Sequence, residues 1–206
     1  MRSRNYKDIL QEIKETLRCG ITKVTLLGQN VNAYKSPISA GDGSVVGLPE
    51  LLYLVSEIDG LEEFSFITSH PKDTSKELFQ AMADCAKLKK YLHLPAQSGS
   101  DRILKLMNRG YTRKFYLDLI ENYRKIVKNG VLTSDVIVGF PSETEEDFRD
   151  TLNLVKEAQF NAAFIFKYSP RPHTEATNIA DDVERKEKER RHALVLGLQK
   201  EVSKKK

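Results

Sequence analysis

Five short apolar runs alternate with amphipathic helical segments along this 206-residue chain, and each run breaks off into polar or glycine residues. The runs are Lys23–Leu27, Glu63–Thr68, Lys90–Leu94, Leu132–Val138 and Ala162–Lys167. Between them lie stretches whose apolar residues recur at helical spacing: Tyr6–Cys19, a helix opened by Pro49, Ser75–Leu88, Asp101–Met107 and Arg113–Lys128. A further helix starts at Ser142-Glu143-Thr144-Glu145, which reads as a capping box, and runs to about Ala158. A charged helix, Asp181–Lys206, closes the chain. Strand–helix repetition of this kind predicts right-handed βαβ crossovers and a parallel sheet. The chain opens on a helix, and a parallel α/β sheet is expected to have a strand before it. The segment Ser36–Gly47, rich in Gly, Ser and Pro, reads as a flexible loop.

A content of 40% hydrophobic and 30% charged residues suits a soluble chain with one sizeable core. The net charge of +4 permits an anionic partner without demanding one. No apolar run approaches the roughly 18 residues of a membrane span. Met1–Asn5 lacks the apolar segment of a signal peptide, so a cytoplasmic location is expected. Cys19 and Cys85 form neither a CxxC pair nor a ligand cluster; both are expected to be small buried thiols.

The five strand ends deliver chemistry-bearing residues to one edge of the predicted sheet, where parallel α/β folds bind ligands. They are Gly28, Gln29 and Asn30; Thr68, Ser69, His70 and Pro71; His93, Gln97, Ser98, Gly99 and Ser100; Asp135 and Gly139; and Tyr168, Ser169, Arg171 and His173. Each has a plainer role available. Gly28 suits a turn, His93 alternates with Leu92 and Leu94 as a core histidine does, and Ser100 suits a helix N-cap. The acids of Glu143–Asp147 are expected on a solvated first turn rather than as paired catalysts. The four histidines have no metal-ligand spacing, so no metal site is expected. What the plainer roles leave unexplained is the joint pattern, with every strand breaking at the same end.

Six segments together resemble one family. They are Gly28–Tyr34 (GQNVNAY), Thr68–Pro71 (TSHP), His93–Ser100 (HLPAQSGS), Leu104–Thr112 (LKLMNRGYT), Ser134–Phe148 (SDVIVGFPSETEEDF) and Phe166–Pro172 (FKYSPRP). From about Ser3 to Ala176 the chain resembles the radical S-adenosylmethionine methylthiotransferases. It is most similar to the tRNA-modifying branch that makes 2-methylthio-isopentenyladenosine beside the anticodon.

The resemblance implies a partial (β/α) TIM-like barrel lacking its first strand, with a radical core at 1–176 and a linker or tail helix at 177–206. It implies S-adenosylmethionine and 4Fe-4S clusters as cofactors of the parent protein. The family's CxxxCxxC loop is not in this sequence, and Cys19 and Cys85 do not replace it. The N-terminal cluster domain and the C-terminal RNA-binding domain of the family are expected outside it. Residues implied to bind the cofactor are Gly28, Gln29, Asn30, Ser69, Gln97, Arg109, Val136, Val138 and Gly139. Asp135, Lys167, Tyr168 and Arg171 are implied to face substrate. Implied partners are the tRNA anticodon stem-loop and an electron donor. His173 stands where the family has glycine. Alternatives are a cluster-less binding or scaffold fragment, or a methylthiotransferase acting on a ribosomal protein or on threonylcarbamoyladenosine. The chain alone is expected to be inactive.

Overall fold

The computed structural model describes residues 3–38, 43–67, 69–171 and 174–204. Thr68 and His173, two of the strand-end candidates, lie outside the described residues. The chain divides into two compact units, Met1–His93 with Asn122–Val131, and Leu94–Glu121 with Leu132–Lys206.

Unit 1 carries α1 (Tyr6–Arg18), β1 (Lys23–Leu26), β2 (Lys35–Pro37), β3 (Val45–Gly47), α2 (Leu48–Ser56), β4 (Glu63–Phe66), α3 (Lys76–Asp84) and β5 (Tyr91–His93). β1 and β4 pair in parallel, Lys23 with Glu63 through Leu26 with Phe66. On its other side β4 meets the chain at Leu88, Phe64 N–H donating to Lys87 O (2.9 Å). Phe64 and Phe66 alternate with Glu63 and Ser65, and the phenylalanines are buried with Leu52 and Val55 of α2 and Leu78, Phe79 and Met82 of α3. Phe79 meets the Tyr123 ring edge-on at 5.5 Å. Lys90 reaches back to close α3: its ammonium donates to the carbonyls of Met82, Ala83 (3.1 Å) and Cys85 (2.8 Å).

Two expectations are corrected in this unit. The segment Ser36–Gly47 is not a plain loop, because β2 and β3 pair antiparallel, with Ser36 and Val46 buried. Cys19 is exposed: it caps the last turn of α1, beyond the one buried position of that helix, Ile13. Cys85 is buried.

Unit 2 carries α4 (Asp101–Leu106), the first part of α5 (Arg113–Ile126), β6 (Val131–Val138) from its second residue on, α6 (Glu145–Ala158), β7 (Ala162–Lys167) and α7 (Arg185–Ser203). β6 and β7 are parallel, Thr133 beside Ala162 through Val138 beside Lys167. The stretch from Leu94 to Gln97 runs along the other side of β6: Leu94 N–H donates to Thr133 O (2.9 Å), Gln97 N–H to Asp135 O (2.8 Å), and Ile137 N–H to Gln97 O (2.8 Å). Ser134, Val136 and Val138 are fully buried, while Asp135 and Ile137 face the other way. Below the sheet lie Phe148, Leu154 and Val155 of α6 and Val195 and Val202 of α7. α7 is expected from its composition to be solvated; it instead packs on β7 and α6 along a buried face that includes Lys188, Arg191 and Gln199.

Helix α6 begins two residues later than the sequence pattern predicts. Ser142 sits at φ +66°, which excludes the extended backbone of an N-cap, and Thr144 takes that role with Asp147 as its partner. Of the acids of this turn, Glu145 and Glu146 are exposed as expected, whereas Glu143 and Asp147 are buried. Asp147 accepts from Ser100 Oγ (2.5 Å), Thr144 N–H (2.9 Å), Thr144 Oγ1 (2.7 Å) and the Arg102 guanidinium. One carboxylate thereby caps α6 and fixes the N-cap serine of α4. Close approach completes the joint: a Cβ on Gly99 would lie 2.3 Å from Asp150 O. Among the described residues no helix is long and apolar enough to cross a membrane.

Burial alone would raise the Asp147 carboxyl, but the Arg102, Ser100 and Thr144 hydrogen bonds prevail and hold it well below the ordinary range. A depressed carboxyl stabilises the fold above the unfolded value of about 4 and loses that contribution as pH falls. Asp147→Asn is expected to cost about 2 kcal/mol at neutral pH, from a lost cap and lost charge-assisted bonds. Urea unfolding should show the gap to wild type shrinking as the pH drops below about 4.

Candidate functional site

A cavity of about 780 Å³ in unit 2 opens where β6 and β7 end. Gln97, Arg109, Asp135, Lys167, Tyr168 and Arg171 all line it. Gln97 and Arg109 are expected from the sequence to face cofactor, and the other four to face substrate. The apolar wall comprises Ile137, Phe140 and Phe166 among others.

Each polar side chain is placed by a local device. The α4–α5 connection turns at Asn108 (φ +54°) and Gly110 (φ +66°), which presents Arg109 between them. Asp135 and Ile137 are the outward residues of β6. Tyr168 follows β7 with its N–H on Val138 O (2.9 Å); its ring packs edge-on to Phe140 at 5.1 Å under the Lys188 ammonium at 5.3 Å. Burial, with the charge of Asp181, raises the Tyr168 hydroxyl above the ordinary tyrosine value, so it stays protonated at neutral pH. Arg109, Lys167 and Arg171 against Asp135 and Glu175 leave the cavity lining with a small excess of positive charge.

Gln97 combines two costs. It is 7% exposed at φ +67°, a conformation few non-glycine residues adopt, and its Oε1 is buried without a hydrogen-bond partner. Backbone strain and an unsatisfied acceptor thus coincide on one cavity-lining residue.

Val136 and Val138 do not reach this cavity. Their side chains are on the buried face of β6, and their neighbours Asp135 and Ile137 line the opening. Gly139 (φ +70°) is needed for packing: a Cβ there would lie 2.4 Å from Lys188 Cγ of α7.

In unit 1, Gly28, Gln29 and Asn30 line a second cavity, of about 820 Å³, with residues of α1 and β1. The Arg4–Glu12 ion pair (2.6 Å) joins two of its lining residues. The loop after β1 is tied to the loop after β4. Asn30 Nδ2 donates to Asp73 Oδ2 (2.6 Å), Asn32 Nδ2 to His70 O (2.9 Å) and Thr74 Oγ1 (2.8 Å), and His70 N–H to Asn32 Oδ1 (2.9 Å). The strand-end pattern does not anticipate the Asn32 tie, although an asparagine two residues past a strand-end glycine and asparagine is the type that laces loops. Asn30 Oδ1 and Ser69 Oγ are buried without partners. Gly28 has ordinary backbone, and a Cβ there would meet only Val31 Cγ2, at 3.3 Å. His93 is half-buried in β5.

Among the described residues no group of three His, Cys, Asp or Glu side chains is placed to hold a metal ion. With two cysteines in the whole sequence, a three-thiolate iron–sulfur site does not fit these residues. The buried orphan acceptors do fit a polar small molecule rich in N–H and O–H donors. Anaerobic reconstitution of this chain with iron and sulfide is expected to yield no stoichiometric 4Fe-4S cluster by iron analysis and visible absorbance.

Residues 1–155 match the family model described as the radical SAM superfamily. The chain is 47% identical over 190 residues to a tRNA-2-methylthio-N(6)-dimethylallyladenosine synthase of Syntrophomonas wolfei subsp. wolfei, covering 92% of this chain and 42% of that protein. It is 45% identical over 205 residues to the protein of the same name in Clostridium botulinum (strain Okra / Type B1), covering 100% and 45%. The chain thus spans less than half the length of these curated relatives. The structure is similar to the radical S-adenosylmethionine methyltransferase TsrM from Kitasatospora setae (TM-score 0.61, 14% identity, 80% of this chain and 31% of that one). It is also similar to coproporphyrinogen III oxidase (HemN) from Escherichia coli (TM-score 0.53, 14% identity, 87% and 52%).

Proposed function

This chain belongs to the radical SAM superfamily, and we propose that it is the S-adenosylmethionine-binding portion of a tRNA methylthiotransferase that modifies isopentenyladenosine. The name shared by relatives matching nearly its whole length supports that substrate over a ribosomal protein or threonylcarbamoyladenosine. The observation that carries the cofactor reading is Gln97, strained and left with a buried unpaired acceptor at the cavity in unit 2.

When bound and reductively cleaved, S-adenosylmethionine supplies a 5′-deoxyadenosyl radical able to abstract hydrogen from an unactivated carbon. The residues of this chain bind and orient. In unit 2, Gln97 Oε1 accepts a hydrogen bond from the cofactor and Arg109 pairs with its carboxylate, a charge-assisted contact. Ile137 and Phe140 provide the apolar surface for the adenine, while Val136 and Val138 anchor the strand from behind and Gly139 lets the turn seat on α7. In unit 1, taken by itself, Gly28, Gln29 and Asn30 line that unit's own cavity, and Asn30 Oδ1 and Ser69 Oγ are buried acceptors suited to a ligand donor. Lys167 and Arg171 are suited to RNA phosphate, and Asp135 and Tyr168 to a base edge. The radical core is assigned to 1–176 and the tail segment to 177–206. The iron–sulfur clusters, the electron donor, the anticodon stem-loop and a cytoplasmic setting are proposed of the whole enzyme, and no step is derived through the clusters.

The test is S-adenosylmethionine binding to the whole enzyme by isothermal titration. Gln97→Ala and Arg109→Ala are each expected to weaken binding about tenfold, equivalent to about 1.4 kcal/mol. Wild-type affinity in both would refute the assignment, and absence of saturable binding in the wild type would favour a scaffold role.

A further inference from the structure

The turn that ends β6 is gripped at both ends by a helix that does not line the cavity. Glu143, whose side chain is 0% exposed, accepts at Oε2 from Gly139 N–H (2.6 Å) and from Arg191 Nη1 of α7 (2.7 Å). The same Nη1 donates to the Glu143 main-chain carbonyl (2.8 Å), and Arg191 Nε donates to Glu187 Oε1 (2.7 Å). The Arg191 side chain is 6% exposed, and its guanidinium lies over the Phe148 ring at 5.4 Å. One turn earlier on α7, the Lys188 stem fills the space a Cβ on Gly139 would need, and its ammonium pairs with Asp181 (2.6 Å).

A buried ion pair is a poor means of adding stability, because desolvation offsets its attraction and an apolar pair of similar volume does as well. Here the pair is aimed at backbone: it holds the N–H that opens the turn and the carbonyl that closes it. The turn requires holding at Ser142, a non-glycine residue at φ +66°, whereas Gly139 takes its positive φ without cost. Its conformation sets the position of Phe140, which lines the cavity and packs on Tyr168, a second lining residue.

We propose that α7 is a positioning latch: Arg191 acting through Glu143, with Lys188 against Gly139, fixes the Gly139–Glu143 turn and thereby the Phe140–Tyr168 wall of the cavity. Arg191, Glu143 and Lys188 are positioning residues, acting on bound ligand through that wall. The effect on ligand affinity rests on the reading of the cavity as an S-adenosylmethionine site; the effect on the turn does not.

The experiment compares the whole wild-type enzyme with Glu143→Gln/Arg191→Met, which removes both charges and leaves none buried alone, and with Arg191→Lys. Two quantities are read: amide hydrogen exchange of Gly139, Phe140, Ser142 and Glu143 (Pro141 has no amide hydrogen) relative to the β6 amides, and the dissociation constant for S-adenosylmethionine. In the double variant, exchange in the turn is expected to rise at least tenfold with β6 unchanged, and affinity to fall at least fivefold. Arg191→Lys keeps charge on Glu143 without the forked grip, and is expected to fall between; it carries the test should the double variant not fold. Wild-type exchange in the turn overturns the latch, as does faster exchange with unchanged affinity. If the wild type shows no saturable binding, the cofactor reading fails, and the exchange comparison alone decides the latch.

Discussion

The alternation along β6 is the constraint from which unit 2 is built. Because successive side chains leave a strand on opposite faces, burying Ser134, Val136 and Val138 obliges Asp135 and Ile137 to face the other way. The buried set is held by α6, by α7 and by Tyr116, whose hydroxyl donates to Leu94 O (2.6 Å). The outward set becomes part of the mixed polar and apolar lining of the cavity. A one-residue slip in the pairing with β7 would exchange the two faces, burying a carboxylate and exposing two valines.

Two buried carboxylates at the end of β6 convert this strand geometry into a fixed rim. Asp147 joins the starts of α4 and α6 through Ser100, Thr144 and Arg102, and Glu143 joins the turn after β6 to α7. They differ electrostatically. Hydrogen bonds win at Asp147 and keep it ionised, whereas burial wins at Glu143 and pushes its carboxyl above the ordinary value despite Arg191 and the Gly139 N–H. Apolar packing positions the strand, and these charged contacts position the turn and helix that come after it.

Much of this was legible in the sequence because periodicity and punctuation are local. The strands with Phe64 and Phe66 or with Val136 and Val138 show their buried faces directly, and Ser75 and Ser100 announce the helices they cap. The strand-end residues gathered in the unit 2 cavity were also visible as a joint pattern. What was not legible depends on tertiary context. Thr144 displaces the expected cap because Ser142 is drawn into a left-handed turn with its N–H on Asp182 (2.6 Å). The buried face of α7 uses Lys188, Arg191 and Gln199, which look solvent-facing until Gly139, Glu143 and the Phe160 carbonyl are placed beside them. Cys19 reads as a buried thiol from its helical neighbours, but it falls past the end of α1.

The function proposed for unit 2 depends on ligand contact at its strand ends. Photolabelling of the whole enzyme with an azido-adenine analogue of S-adenosylmethionine, then peptide mapping, examines that contact without any substitution. The label is predicted on the peptides holding Ile137 and Phe140 or Gln97, competed by unlabelled S-adenosylmethionine. Competable label confined to peptides that contain none of the residues lining this cavity would contradict it.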